Sequence, residues 1–159
     1  MLTDTQFTQA VEQYADMVYR IALNYLRDPA AAEDAGQEVF LRLLRSRGDF
    51  QGGAHLKHWL VRVTINECKR ALASPWRKVE PLEAQIGSPV FSTPDNREVF
   101  DLVMSLPRKY RVALYLHYYE GYKAAEIAQL LRIPASTVRT RLDRGRALLK
   151  ERLTEVEDV

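Results

Sequence analysis

The chain has 159 residues, room for one ordinary domain or two small ones, and its 47% hydrophobic and 28% charged residues are the balance of a folded globular chain. No apolar run is long enough to cross a bilayer, no basic-then-apolar leader follows Met1, and a single cysteine, Cys68, excludes an internal disulfide framework. Secreted, membrane-inserted and collagen-like readings fall away, and a chain of the reducing cytoplasm is expected.

Helical periodicity dominates, without strand alternation or internal repeat, so the expected fold class is all-α. Phe7, Val11, Tyr14, Val18, Ile21 and Tyr25 fall within roughly 80° of one another on a first helix. Asp28–Pro29 supplies an N-cap and a first-turn proline for a second helix through about Arg45. On that helix Ala32, Ala35, Val39 and Leu43 form one stripe, Phe40 and Leu44 lie on another face near Gln37, and Asp34 and Glu38 form a polar edge. Such a mixed face suits either another protein's helix or packing on two sides within its own lobe. Gly48, Gly52 and Gly53 mark a loop before a third helix, about His55 to Ala73. Its predicted core face is Leu56, Leu60 and Val63 with Trp59 at the margin, and its basic stripe is His58, Arg62 and Lys69, flanked by Asn66 and Ile65.

Residues 74–96 hold four of the seven prolines and no sustained helical period, which reads as a flexible linker. The expected domains are therefore 1–73 and 97–159. Beyond the linker, Thr93–Pro94 reads as the start of a fourth helix ending near Leu106. Pro107 opens a fifth, closed by Gly121 as a left-handed C-cap. Two more follow at about 123–131 and 134–152.

That last pair, a short apolar helix, a tight turn and a longer basic helix, has the order of a helix-turn-helix. With Val138 as the reference, Leu142, Gly145 and Leu149 share its stripe, while Arg139, Thr140, Asp143, Arg144 and Ala147 lie roughly 100° to 240° away and face out. Two guanidinium groups, a short hydroxyl and an acid on one face can contact phosphates and base edges together. The net charge of +2 conceals this concentration: residues 132–152 carry seven Arg or Lys against Asp143 and Glu151, and residues 57–78 carry six against Glu67. Two basic patches suggest two polyanion contacts, and the loop-flanked third helix suits single-stranded nucleic acid.

The stretches AEDAGQEVFLRL (32–43), HWLVRVTINECKR (58–70), LPRKYRVALYL (106–116) and EIAQLLRIPASTVRTRLDRGRALLKERL (126–153) together resemble a sigma factor of the extracytoplasmic-function group, a sigma-70 type subunit of bacterial RNA polymerase. The resemblance runs in the family's order over nearly the whole chain outside the linker. It implies that 1–73 docks on core RNA polymerase and handles the minus-ten element, and that 97–159 reads the minus-thirty-five element. Asp34, Gln37 and Glu38 match positions that meet the clamp helices of the β′ subunit. Arg62, Asn66 and Lys69 match or neighbour those that hold the opened non-template strand. Arg139, Thr140, Asp143 and Arg144 fall on the groove face of the reading helix, in agreement with the helical wheel.

The resemblance further implies contact of the β flap with the outside of the second lobe, sequestration by an anti-sigma partner, a cytoplasmic bacterial setting, and no cofactor. Three departures stand out, the mildest being Ser136 where the family often has Gly, a modest change in a residue already helical. Lys123 occupies the N-cap position where the family often has Ser or Thr, and it cannot accept from the orphan amides, so a frayed or shifted helix start is expected at a cost of about 1 kcal/mol. Asp143 stands at a specificity position, so the promoter sequence cannot be copied from a relative.

Linker length gives a separate expectation. The 23 residues of 74–96 span about 25–30 Å as a coil and about 75–80 Å extended, while two DNA sites two helical turns apart are separated by about 70 Å. Both sites are engaged only when the linker is held extended, so the free protein should bind promoters weakly.

No enzyme is expected: the P-loop, Rossmann and Gly-x-Ser-x-Gly signatures are missing. His55, His58 and Cys68 lack an evident fourth ligand, so no metal site is expected. The competing reading is a stand-alone dimeric helix-turn-helix regulator with a palindromic operator, for which the motifs at 32–43 and 58–70 would have no use.

Overall fold

The computed structural model describes residues 1–74 and 100–157. The predicted linker (Ser74 apart) and the Thr93–Pro94 helix start lie outside these residues. The chain divides into two units, Met1–Gln85 and Ile86–Val159.

In the first unit, α1 (Asp4–Leu26) begins at Thr3, whose hydroxyl accepts from the Gln6 amide at 3.1 Å while the Gln6 side chain accepts from the Thr3 amide at 3.0 Å. This reciprocal pairing satisfies two orphan donors of the helix start. Arg27, at φ 53°, turns the chain out of α1 and returns its amide to the Leu23 carbonyl at 2.8 Å. As its sequence predicts, α2 (Pro29–Arg45) is capped by Asp28, which accepts from Ala30 and Ala31 with Pro29 in the first turn.

The three helices, with α3 (Gly53–Ala73), pack against one another. The α2 stripe Ala32, Ala35, Val39 and Leu43 is buried as expected, as are Val18, Ile21 and Leu26 of α1, against which α2 packs. From Ile21 to Leu26 α1 is buried on every side, so its C-terminal half lies within the unit's core rather than on its surface. The core face of α3 differs from the expectation: Leu60, Val61, Thr64, Ile65 and Cys68 are buried, whereas Leu56, Trp59 and Val63 are only half-buried. Thr64 disguises the true stripe, because its hydroxyl donates to the Leu60 carbonyl at 2.6 Å and so enters the core satisfied. Ile65 therefore belongs to the core and not beside the basic stripe.

In the second unit, residues 100–104 are helical (α4). The predicted fifth helix is α5 (Arg108–Leu114) continued by a π-helical turn, Tyr115–Tyr119, in which the Glu120 amide reaches the Tyr115 carbonyl at 3.3 Å. The widened turn leaves Tyr118 and Tyr119 exposed. Gly121 follows at φ +75°, a conformation open to glycine without strain, and the chain reverses there as predicted. Helices α6 (Ala124–Leu131) and α7 (Ala135–Glu157) complete the unit, α7 running five residues past its predicted end. They meet through Arg132 at φ 58° and Pro134, whose carbonyl accepts from Thr137 and Val138. Gly145 lets α7 approach α5 closely: a β-carbon there would lie 3.0 Å from Leu114 Cδ1.

The Lys123 departure does not fray α6. The helix begins at Ala124 because the Glu126 carboxylate accepts the Lys123 amide at 2.9 Å and the Lys123 carbonyl accepts from Ile127 at 3.0 Å. Only the half of the box that a side chain at 123 would supply is missing. Lys123→Thr should supply it, stabilising the second unit by about 1 kcal/mol. Thermal melting should move upward by about 4–8 °C for a unit of this size, and an unchanged melt would show that solvent already satisfies those amides.

Candidate nucleic-acid interface

On α7 the expected faces separate cleanly. Val138, Leu142 and Gly145 are buried, and Leu149 half-buried, while Arg139, Thr140, Asp143, Arg144 and Ala147 are exposed. Measured around the axis at 100° per residue, Thr140, Asp143 and Ala147 occupy the middle of that arc, with Arg139 and Arg144 at its two edges. Thr140 hydrogen-bonds the Ser136 carbonyl at 3.0 Å, which orients its hydroxyl along the helix.

Tyr110 of the neighbouring helix stands beside Arg144 and Lys109. Burial pushes the Tyr110 phenol up, but its hydrogen bond with Arg144, helped by Lys109, outweighs this and holds it below its ordinary value. The Lys109 ammonium stands 5.0 Å over the same ring. Asp143 pairs with Arg146 one turn along, and Arg146 donates to the Tyr118 hydroxyl at 2.6 Å. These two hydrogen bonds, that to Tyr118 first, raise the Arg146 pKa further above its ordinary value.

In the first unit, Arg62, Asn66 and Lys69 are all exposed and recur at intervals of four and three residues, so one face of α3 presents them with His58. Glu67 is the one acid of α3, and it is turned towards α2. Its carboxylate meets the Arg42 guanidinium of α2 at 2.9 Å, leaving cations and an amide on the open side. Trp59 is half-buried rather than a core residue. The Phe50 ring packs edge-on against it at 5.5 Å and against His55 at 5.3 Å. His55 Nδ1 accepts the Gln51 amide at 2.9 Å, which fixes the glycine-bearing loop on the N-terminal turn of α3.

The outer arc of α2 carries both apolar and acidic groups. Leu41 and Leu44 are exposed, and Gln37 and Phe40 line a groove between α1 and α2 with Phe7, Val11 and Tyr19. Asp34 and Glu38 border a different groove, between α2 and α3. The three predicted docking residues thus share one arc but face two grooves. Asp34 and Gln37 are exposed, and Glu38 is half-buried with the Arg42 guanidinium 3.6 Å away. Exposed Leu41 and Leu44 fit a face that receives another protein, not one packed on both sides within its own lobe.

Sequence reasoning missed three features: the buried Arg111, exposed Leu41, and the Tyr118–Arg146–Asp143 chain. The spacing of Asp143 and Arg146 was a visible signal, whereas Tyr118 lies 28 residues away. Among the described residues no group of three or more His, Cys, Asp or Glu stands close enough to hold a metal ion, and Cys68 is a buried thiol in no disulfide. Nor is any described helix long and apolar enough to cross a membrane.

Comparison with known proteins places these faces in a family. A sigma-70 region 2 model matches residues 10–78 and a sigma-70 region 4 model matches residues 96–149. The RNA polymerase sigma factor CarQ of Myxococcus xanthus is 30% identical, over 95% of this chain and 91% of its own. The ECF RNA polymerase sigma factor SigW of Bacillus subtilis is 27% identical, over 94% and 90%. The sigma factor RpoE of Bartonella quintana, solved with the anti-sigma factor NepR, superposes with a TM-score of 0.70 over 93% of this chain and 96% of its own, at 20% identity.

Proposed function

Because the chain belongs to the extracytoplasmic-function group of the sigma-70 family, and so is an RNA polymerase sigma factor, we propose that its two units divide promoter recognition between them. Residues 97–159 bind the minus-thirty-five element, with Arg139, Thr140, Asp143 and Arg144 in the major groove. Residues 1–73 hold the opened minus-ten strand through Arg62, Asn66 and Lys69, and dock on the β′ clamp helices through Asp34, Gln37 and Glu38. The observation that carries this reading is the clean separation on α7 of a buried apolar stripe from an exposed arc of two arginines, a hydroxyl and an acid.

The protein does no chemistry of its own. Promoter opening follows from differential binding, since a face that holds the unstacked strand better than the duplex shifts the equilibrium towards the open state. On α3 the cations follow the phosphate backbone, and the Phe50 to Gly53 loop beside Trp59 supplies the surface for an extruded base. The β flap docks on the outside of the second unit, where Val103, Tyr115, Tyr119 and Leu149 line an apolar groove that Tyr118 and Arg146 border. An anti-sigma partner in the bacterial cytoplasm covers the same docking surfaces. A stand-alone regulator would leave the exposed Leu41 and Leu44 beside Asp34 and Glu38 without a purpose.

The direct test is co-elution of the full chain with core RNA polymerase lacking any sigma subunit. A complex that excludes a competing sigma factor supports the docking assignment, and no complex with the folded chain removes it. Within that assay, Asp34→Ala combined with Glu38→Ala should weaken the affinity for core polymerase by about tenfold or more, the equivalent of about 1.4 kcal/mol. Unchanged affinity in a fluorescence titration would dismiss the α2 arc as the docking surface.

A further inference from the structure

We propose that Tyr118 and Arg146 are positioning residues for Asp143, holding its carboxylate on the groove face of α7 so that it accepts a hydrogen bond from the N4 amine of one cytosine. This rests on the assignment of that face to the minus-thirty-five element.

An acid on a DNA-reading face needs an explanation, because every phosphate around it repels it. Asp143 is well exposed, its side chain 72% accessible, and it is paired through Oδ1 with Arg146 Nη2. An exposed pair one turn apart is by itself weak and loosely oriented. Here the guanidinium is held a second time. Its other terminal nitrogen donates to the Tyr118 hydroxyl at 2.6 Å, and its central carbon lies 6.0 Å from the centre of the same ring.

A planar group fixed by two bonds and an aromatic neighbour has few rotamers left, so the carboxylate it grips is also fixed. Guanidinium only donates, so Tyr118 must accept from it, and the direction of the whole chain from Tyr118 to Asp143 is set. Tyr118 reaches this position because the π-helical turn Tyr115–Tyr119 widens the end of α5 and leaves the ring exposed. Arg146 also cancels the charge of the acid against the phosphates. A carboxylate oriented in the major groove accepts from cytosine N4, the donor the other bases do not place there in the same pattern.

Three single-residue changes separate this proposal from the reading beneath it. Holoenzyme reconstituted from the full chain and core polymerase is selected on duplex DNA randomised through both promoter elements, and the bound DNA is sequenced. The wild-type chain should prefer cytosine at one upstream position by about tenfold, the size of one good base contact, and Asp143→Ala should abolish that preference. Tyr118→Phe, which keeps the ring, and Arg146→Gln should each cut the preference about threefold to fivefold at that position alone. Tyr118→Phe should change nothing further in the Asp143→Ala background, as expected of coupled residues.

If Asp143→Ala alters no position, the groove-face assignment fails and takes the proposal with it. If Asp143→Ala removes the preference while Tyr118→Phe and Arg146→Gln leave it intact, the assignment stands and the positioning role is overturned. Uniform weakening of all sequences by Arg146→Gln, with a shallower salt dependence, identifies Arg146 as a phosphate contact and also overturns it.

Discussion

Arg111→Ala should unfold much of the second unit at growth temperature while leaving the first unit intact. Arg111 is only 2% exposed, and its Nη1 donates to the Leu106 carbonyl at 3.0 Å. That carbonyl sits at the corner joining α4 to α5, where Pro107 has no amide to offer and its own carbonyl accepts from Tyr110 and Arg111. Arg111 therefore secures both sides of the corner, with its backbone on Pro107 and its side chain on Leu106. Truncation removes a long buried side chain and orphans a buried acceptor, losses that together cost about 3–5 kcal/mol. A unit the size of 97–159 has about 3–9 kcal/mol in total, so the loss is comparable with the whole. Arg111→Met retains most of the volume and should cost less than the alanine, its loss coming from the guanidinium's polar contacts, the Leu106 bond among them, at about 1–3 kcal/mol. Amide hydrogen exchange over residues 108–131 checks both: near-complete loss of protection for Ala, partial loss for Met. Equal protection in all three chains would show that the corner holds without the guanidinium.

That residue also marks where the sequence stops being readable. Helix starts at Asp28–Pro29 and the reversal at Gly121 were legible because a cap acts within a few residues of itself. The α7 faces were legible because charged and apolar residues alternate at the helical period over four turns. On α3 the same method chose the wrong stripe. Thr64 enters the core through a bond to its own helix, and the apolar Leu56, Trp59 and Val63 are left half-buried, with the Phe50 ring against Trp59. A wheel scores side-chain type, and neither effect is a property of type. Arg111 defeats it more completely: charge predicts exposure, and its burial depends on partners such as the carbonyl five residues back, which a wheel does not see. Lys123 failed the other way, since a weak cap position was rescued by Glu126, whose half of the box does not depend on the residue at 123.

Arg139→Ala combined with Arg144→Ala should cost the holoenzyme about a hundredfold in promoter affinity while leaving its assembly untouched. The two arginines sit at opposite edges of the exposed α7 arc, so a helix lying in the major groove turns them towards the two phosphate walls and turns Thr140 and Asp143 to its floor. Arg144 lies beside the Tyr110 phenol of α5. Phosphate contacts of this kind are worth about 1.5 kcal/mol each at the exposed end of the range for charge-assisted hydrogen bonds, hence the size of the combined effect. They also carry a signature that base contacts lack. Removing one arginine from a phosphate should flatten the slope of log affinity against log salt by about 0.9, and weaken all sequences alike. Footprinting across a salt series therefore decides between edge and floor. A slope unchanged by the double substitution, with selectivity altered instead, would move both arginines onto base edges. Loss of polymerase binding would remove α7 from the groove altogether, because the docking arc of α2 belongs to the other unit and has no share in these side chains.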